Sequence, residues 1–356
     1  MCKIFAINPG STSTKIGIFE GRRLEHEQAI RHKREEIKKY KRVIDQLGPR
    51  LAAIDNFLGE KDIDLSEIDF FVGRGGILRP LDSGLYEVNG RMLRDLKEAR
   101  YGEHASNLGP VIAQIFASRF GKKAYIMDPV CVDELADIAR VSGHPLLERV
   151  SWFHALNQKK AARKAAGELG KKYEEANIVV AHMGGGISVG IHHRGRVEDV
   201  NNAALGEGPF TPERTGGLAA GSFLRYVFEK NLDFEKSFKM ILGEGGLVAY
   251  FGTTDFGRLM ERYREGEGKV RLVIDAMAYQ IASEIAAKSV LVNGRVDALV
   301  LTGGLAHDDD FKDLIRERVG FIFPKIFVYP GENELEAMAE GAMLALVDKK
   351  IKISSY

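Results

Sequence analysis

The stretch from Ile178 to Gly217 concentrates residues whose types and spacing suit anion chemistry. Ile178-Val179-Val180 leads through Ala181 to His182-Met183-Gly184-Gly185-Gly186, after which apolar residues alternate at Ile187, Val189 and Ile191. Period-two apolar residues on both sides of a glycine tract predict a hairpin. Three glycines in a row remove the Cβ atoms that hold a ligand away from the backbone, and they permit positive φ. The N–H groups of such a turn can form a concavity suited to phosphate. A glycine-rich turn with no ligand has the same sequence, so the rest of the chain must decide.

A second turn of this kind lies near the N-terminus. Lys3–Ile7 reads as a strand, Asn8-Pro9-Gly10-Ser11-Thr12-Ser13-Thr14 as a polar turn, and Lys15–Phe19 as the returning strand. Hydroxyls such as Ser11 and Ser13 can donate to phosphate oxygens, and Lys15 can neutralise them. The alternative is a turn whose side chains satisfy only their own backbone. A third glycine turn, Thr302-Gly303-Gly304, follows the apolar run Val296–Leu301. Arg74 stands before Gly75-Gly76, which leave it beside open space; a surface ion pair is the other reading. Asp128 closes the strand Lys123–Met127, as a carboxylate presented to a cleft or as a turn former ahead of Pro129.

The elements that position these groups repeat. Each half reads as hairpin, helices, a strand running into Gly-Gly, a helix, and a last strand opening on a polar or glycine turn. The first half has the hairpin at 3–19, a charged helix over roughly Glu35–Leu58, a strand at Ile68–Val72, helices near Arg91–Ala99 and Leu108–Phe120, and the strand ending at Asp128. The second has the hairpin at 178–193, helices over 219–242, a long amphipathic helix over Val270–Val292, the strand before Thr302, a helix at Asp310–Arg318 and a strand at Lys325–Tyr329. Such a repeat predicts a duplicated α/β fold with a cleft between the halves. The expected domains are 1–148 joined by 333–356, and 149–332, with the break near Gly143–Val150. A final helix, Leu335–Asp348, crosses back to the first domain.

At 356 residues, 45% hydrophobic and 28% charged, the chain can build two full cores of ordinary globular composition. A net charge of +1 offers no basic field for nucleic acid. No apolar run approaches the ~20 residues that span a bilayer. The N-terminus enters a strand with no signal-peptide core, and Cys2 and Cys131 lack metal-site spacing, so a reducing, cytoplasmic setting is expected.

In sequence order, Asn8–Lys15, Val72-Gly73-Arg74-Gly75-Gly76, Gly102-Glu103-His104-Ala105-Ser106-Asn107, Trp152-Phe153-His154, Ala181–Gly186, Gly208–Gly217 and Leu301–Ala306 resemble the motifs of the acetokinase family. That family lies within the acetate and sugar kinase/Hsp70/actin superfamily, and the motifs are most similar to its branch acting on butyrate. The resemblance implies duplicated ribonuclease H-like (actin-like ATPase) domains. It also implies reversible phosphoryl transfer between ATP and a short-chain carboxylate, giving an acyl phosphate and ADP with Mg²⁺. Phosphoryl transfer rests mostly on positioning and charge stabilisation. By resemblance, Arg74 and Arg214 clamp the carboxylate and the transferring phosphoryl group, for which bidentate guanidinium geometry is suited. His154 resembles the histidine that donates to the phosphoryl oxygens; otherwise it packs beside Trp152 and Phe153. His104 and His182 are further donors, and Asp128 is a carboxylate on the metal side. Asn8 and Ser11 lie near the transferred phosphate and metal, and Glu334 matches the metal-associated glutamate. Thr302-Gly303-Gly304 would let adenosine lie against the backbone. A homodimer or larger homo-oligomer is implied, with the 270–292 helix as a candidate interface, and the cleft predicts closure on nucleotide.

Three departures from acetate kinases matter. Gly184-Gly185-Gly186 lacks an asparagine found in that tract, and Gly331-Glu332-Asn333-Glu334-Leu335 aligns only to within a residue. Gly75-Gly76 replaces valines beside the substrate methyl, which should open the acyl pocket. Each extra buried CH₂ is worth ~0.8 kcal/mol, so butyrate or isobutyrate is expected over acetate. Propionate or branched-acid kinases share every motif. A different class, an actin- or Hsp70-like ATPase, would not need Arg74, His154 and Arg214 to converge on a small acid. A sugar kinase would use an aspartate such as Asp128 as its base.

Overall fold

The computed structural model describes residues 2–356, which form two compact units. Unit 1 comprises Met1–Val132, Ala155–Asn157 and Asn333–Tyr356; unit 2 comprises Asp133–His154 and Gln158–Glu332.

In unit 1, β1 (Lys3–Pro9), β2 (Ser13–Glu20) and β3 (Arg23–Arg31) form an antiparallel meander. On the other side of β1, β4 (Phe70–Arg74) runs parallel to it and β6 (Ala124–Met127) parallel to β4. Short strands β5 (Leu85–Glu87) and β12 (Ile353–Ser355) extend that edge, giving the order β12-β5-β6-β4-β1-β2-β3. In unit 2, β7 (Asn177–Met183), β8 (Ile187–His193) and β9 (Arg196–Val200) repeat the meander. Strands β10 (Ala298–Gly303) and β11 (Ile326–Pro330) then add in parallel, in the order β11-β10-β7-β8-β9. The sequence β3-β2-β1-β4-β6 therefore matches β9-β8-β7-β10-β11 strand for strand. This is the expected duplication.

Central strands are buried on both faces, so they read as apolar runs. Along β1, Phe5 and Ile7 enter one core while Ile4 and Ala6 enter another. Along β7, Val179, Ala181 and Met183 face one core, and Ile178 and Val180 the opposite one. Five helices matter for the site: α1 (Leu47–Glu60), α2 (Leu108–Arg119), α3 (Ala155–Glu168), α4 (Gly268–Lys288) and α5 (Glu334–Ala342). The α4 face carrying Val270, Val273, Ile274, Met277, Ile281 and Ile285 is buried, at the three-and-four spacing of an amphipathic helix. The α5 helix packs on β1, β4 and β6 within unit 1. Its fit is close: a Cβ at Gly341 would meet Met127 Cγ at 2.6 Å.

Two expectations change, and one strand has no reading from sequence. The helix over Glu35–Leu58 is realised only as α1, after short turns at Arg34–Ile37 and Val43–Gln46. Pro49 fits the first turn of α1 but would break the interior of a longer helix. Arg23–Arg31 is a strand whose mostly exposed, polar residues carry no apolar alternation to read. Asp133–Glu148, assigned to the first domain, folds with unit 2. Glu134 accepts from Lys159 Nζ and Val197 N, both at 2.8 Å, and Arg149 reaches Asp199 at 3.0 Å. Among the described residues, no helix is long and apolar enough to cross a membrane.

Candidate active site

Each unit gathers its own set of the expected residues. In unit 1, β1 and β4 run side by side with Ile7 opposite Gly73, which brings Asn8 and Arg74 to neighbouring strand ends. Glu334 opens α5 and lies against both. Asn8 Nδ2 donates to Glu334 Oε2, and Arg74 Nη1 pairs with Glu334 Oε1. Asn8 and Glu334 are buried. The buried Glu334 carboxylate, with the Asn8 amide held against it through Nδ2, supplies hard-oxygen chemistry that fits Mg²⁺, which typically takes one or two carboxylates and completes its shell with water and substrate phosphates.

The turn between β1 and β2 has an organiser that sequence reasoning missed. Arg50, wholly buried on α1 in line with Ile54 and Leu58, donates to Gly10 O (2.9 Å), Ser11 O (3.2 Å), Ser13 O (3.0 Å) and Thr14 Oγ1 (2.9 Å). Gln46 Oε1 accepts from it as well, at 2.9 Å. Burial pushes the guanidinium down to about 10, which still leaves it charged at neutral pH. The backbone carbonyls are thereby turned inward around Arg50. Ser11 and Lys15 are exposed, and Ser13 is half-buried.

Asp128 and His104 are fastened locally. The buried Asp128 carboxylate accepts from Ser83 Oγ (2.7 Å) and Gly84 N (2.8 Å), and its own φ is +38°. His104 caps the turn Ala105–Asn107, its Nδ1 accepting from Ser106 N at 3.2 Å. An accepting Nδ1 puts the proton of the neutral ring on Nε2.

The two glycines after Arg74 do not open a pocket. A Cβ on Gly75 would stand 2.5 Å from Pro129 Cβ, and one on Gly76 2.6 Å from Asn107 Cα. Gly73 and Gly109 likewise let β4 and α2 touch through their backbones, where a Cβ at either would meet a carbonyl oxygen at 2.3 Å. The glycines are required by packing, and the argument from them for a longer acyl chain falls.

In unit 2, Gly184-Gly185-Gly186 forms the tight end of the β7–β8 hairpin, with Met183 opposite Ile187. None of the three has positive φ; their value lies in the missing side chains. A Cβ on Gly184 would approach Glu332 Oε1 to 2.8 Å, and one on Gly186 would approach Arg214 Nη1 to 2.5 Å. The tract thus clears space for a carboxylate and a guanidinium. Thr211 Oγ1 donates to Gly185 O at 2.7 Å and accepts from Arg214 N at 3.0 Å, tying the Thr211–Arg214 turn to the hairpin. Arg214 Nη1 donates to Ala203 O, while Arg214 Nε is buried with no partner. Burial lowers its pKa from the usual arginine value. His182 is wholly buried, its Nε2 3.2 Å from Glu332 Oε1 and its Nδ1 unpartnered. Arg214 Nε, a buried donor left unsatisfied beside a glycine turn, is a physical reason to expect an anion there.

His154 precedes α3 and stacks on His182, with ring centroids 4.0 Å apart. Its Nδ1 lies 2.8 Å from Ser188 Oγ. Gly303, at φ +91°, passes so close to β7 that a Cβ would meet Met183 O at 2.4 Å, whereas Gly304 borders open space. Glu332, Ser188 and Gln158 complete this set and were not singled out from sequence. Nothing in their local spacing marks them, because the fold alone brings them to the histidines.

The doubled five-strand order with glycine turns at the strand ends is the architecture of the acetate and sugar kinase/actin-like ATPase class. The sequence model of the acetokinase family matches residues 145–322, half of the chain. The chain belongs to the acetokinase family, a family of carboxylate kinases using ATP and ADP. Among solved structures it is similar to an acetate kinase from Porphyromonas gingivalis, at 17% identity and a TM-score of 0.78 over 97% of this chain and 100% of that one. A propionate kinase from Francisella tularensis subsp. tularensis SCHU S4 follows at 17% identity and 0.76, over 96% and 99%. A ROK family protein from Streptococcus pneumoniae TIGR4 shares 15% identity and a TM-score of 0.51, over 98% and 100%. At these identities the likeness is one of fold.

Proposed function

We propose that this chain phosphorylates a short-chain carboxylate at the expense of ATP, with butyrate as the preferred acid. The observation that carries the phosphotransfer reading is the Asn8–Arg74–Glu334 set of the first unit. The preference for butyrate rests on the motif resemblance alone.

Arg74 would hold the acid carboxylate, exchanging its contact with Glu334 for the substrate. A carboxylate oxygen then attacks the γ-phosphorus in line; the new O–P bond forms as the bridging O–P bond to ADP breaks. Arg214, with its unpartnered Nε, and His154 would stabilise the equatorial oxygens of the phosphoryl group. Within unit 2, His182 and Gly184–Gly186 would receive nucleotide phosphates; within unit 1, the first hairpin offers Ser11, Ser13 and Lys15 as phosphate-binding groups. Thr302-Gly303-Gly304 would border the adenosine, since Gly304 leaves space there. Mg²⁺ held by Glu334 and Asn8 would neutralise β- and γ-phosphate charge. Asp128 would act indirectly, by fastening the Ser83–Gly84 loop.

The test is hydroxamate-trapped acyl phosphate with Mg-ATP, scanning acetate, propionate, butyrate, isobutyrate and valerate. A maximum at four carbons supports the proposal. The packed state of Gly75 and Gly76 removes the pocket argument against a second reading, an acetate or propionate kinase, and a maximum at two or three carbons would establish it. ATP hydrolysis with no acyl product would move the chain to the actin-like ATPases.

A further inference from the structure

A single chain of buried hydrogen bonds runs from Tyr173 to His154 inside unit 2, and its direction can be worked out atom by atom. Gln158 Nε2 lies 2.9 Å from the carbonyl oxygen of Ser188. A carbonyl only accepts, so the amide nitrogen of Gln158 must face it, which settles the side-chain orientation. The same nitrogen donates to Ser188 Oγ at 2.7 Å. The Gln158 carbonyl Oε1 therefore faces His192 Nε2, at 3.1 Å, and that nitrogen must carry a proton. His192 is wholly buried, and burial first, then the nearby charges of Lys159 and Arg163, favour the neutral ring. A neutral ring protonated at Nε2 accepts at Nδ1, and Tyr173 OH stands 2.7 Å away to donate.

At the other end, Ser188 Oγ already accepts from Gln158 and from His154 N, the latter at 3.4 Å. Its one proton is left for His154 Nδ1, at 2.8 Å. Every link thus donates in the same direction. Ser188 and Gln158 are buried, and a Cβ on Gly190 would press to 2.8 Å of Gln158 Oε1, so the relay has room for little rearrangement.

We propose that Tyr173, His192, Gln158 and Ser188 form a one-way hydrogen-bond relay that fixes the His154 tautomer with its proton on Nε2. They are positioning residues, acting through His154. The inference rests on the proposed phosphotransfer only for its consequence: a ring protonated at Nε2 is a ready donor to a phosphoryl oxygen, whereas the other tautomer would offer a lone pair and repel it.

The experiment is long-range ¹H–¹⁵N spectroscopy of the histidine rings at a pH where they are neutral, paired with acyl phosphate assays. The wild type should show His154 protonated at Nε2 and bare at Nδ1. Ser188→Ala should give a mixture of His154 tautomers while the His192 signals persist, and turnover should fall at least tenfold with KM for the acid nearly unchanged. Ser188→Thr, which keeps the hydroxyl, should restore both. Gln158→Leu should disturb His154 and His192 together. The relay is overturned if wild-type His154 carries its proton on Nδ1, or if Ser188→Ala leaves the tautomer intact, whatever happens to activity. A tautomer that shifts without any change in turnover upholds the relay and removes His154 from the proposed mechanism.

Discussion

Gly76 approaches Asn107 so closely that a Cβ would lie 2.6 Å from both its Cα and its Oδ1. Asn107 cannot yield easily, because its Oδ1 accepts from Ile77 N and its Nδ2 donates to Gly102 O, both at 2.9 Å. Gly76→Val should therefore destabilise unit 1 by about 3 kcal/mol, the upper part of the ordinary overpacking range. Urea unfolding would read this. In the protein that remains folded, the ratio of butyrate to acetate turnover should be unchanged. A stable variant with a preference moved toward acetate would reinstate the glycine pair as a pocket determinant.

Glu334 is contacted by both Asn8 and Arg74, so in the proposed reaction it would couple metal and acid binding. Glu334→Gln should move the Mg²⁺ requirement to higher concentration by tenfold or more. Arg74→Met should chiefly raise KM for the carboxylate, by a similar factor. Because the two residues touch, the double variant should lose less than the sum of the single losses. Strict additivity in steady-state assays would show that the pair does not share a function.

How far the sequence revealed all this depends on the length scale of each signal. Hairpins around Asn8–Lys15 and Met183–Ile187 were legible because both flanking strands alternate or run apolar. The duplication followed from their order. β3 was not legible, since an exposed edge strand such as Arg23–Arg31 has no buried face to impose a pattern. The glycines illustrate a different limit. Gly75 and Gly76 looked like space for a ligand but are filled by Pro129 and Asn107, which lie more than thirty residues away. Arg50 was invisible for a related reason: a charged residue on a helix reads as solvated until the turn it organises is seen against it.

Arg50 is a buried cation that serves five acceptors of the β1–β2 turn and of Gln46. Removing it as Arg50→Met should leave inward-facing carbonyls without donors and cost on the order of 3 kcal/mol. Arg50→Lys should recover little, since an ammonium cannot reproduce the fork. If Ser11 and Ser13 contact nucleotide, KM for Mg-ATP should rise in whatever fraction folds. Chemical denaturation and ATP titration would check both, and wild-type stability in either variant would deny Arg50 its organising role.

The outer face of α4 exposes Leu272 at 70% and Tyr279 at 61%, seven residues apart on one side of the helix. If the homo-oligomer implied by the motif resemblance forms through this helix, these two side chains lie on the face it would cover. On the proposal that the chain is a homodimer, wild type should sediment as a dimer and Leu272→Glu combined with Tyr279→Glu as a monomer in analytical ultracentrifugation at micromolar concentration. Unchanged sedimentation would place the contact elsewhere.

His192 predicts how stability responds to acid. Its ring is held neutral in the fold, first by burial and then by the nearby charges of Lys159 and Arg163, so its pKa lies well below the usual histidine value. The unfolded chain takes up a proton there near pH 6.5 while the native protein does not. The unfolded state thus binds more protons below that point, and native stability must fall as pH falls. The contribution is present in full above about pH 6.5 and lost at up to about 1.4 kcal/mol per pH unit as pH drops toward the folded value. His32, which is also lowered by burial, adds to the wild-type slope but is common to both proteins. His192→Gln should therefore be less stable than wild type at pH 7.5, having lost a packed ring, yet decline less steeply between pH 6.5 and 5. Urea unfolding at several pH values reads the two slopes directly. Parallel curves would mean that His192 is protonated in the native state, and the neutral relay built on it would fall with that result.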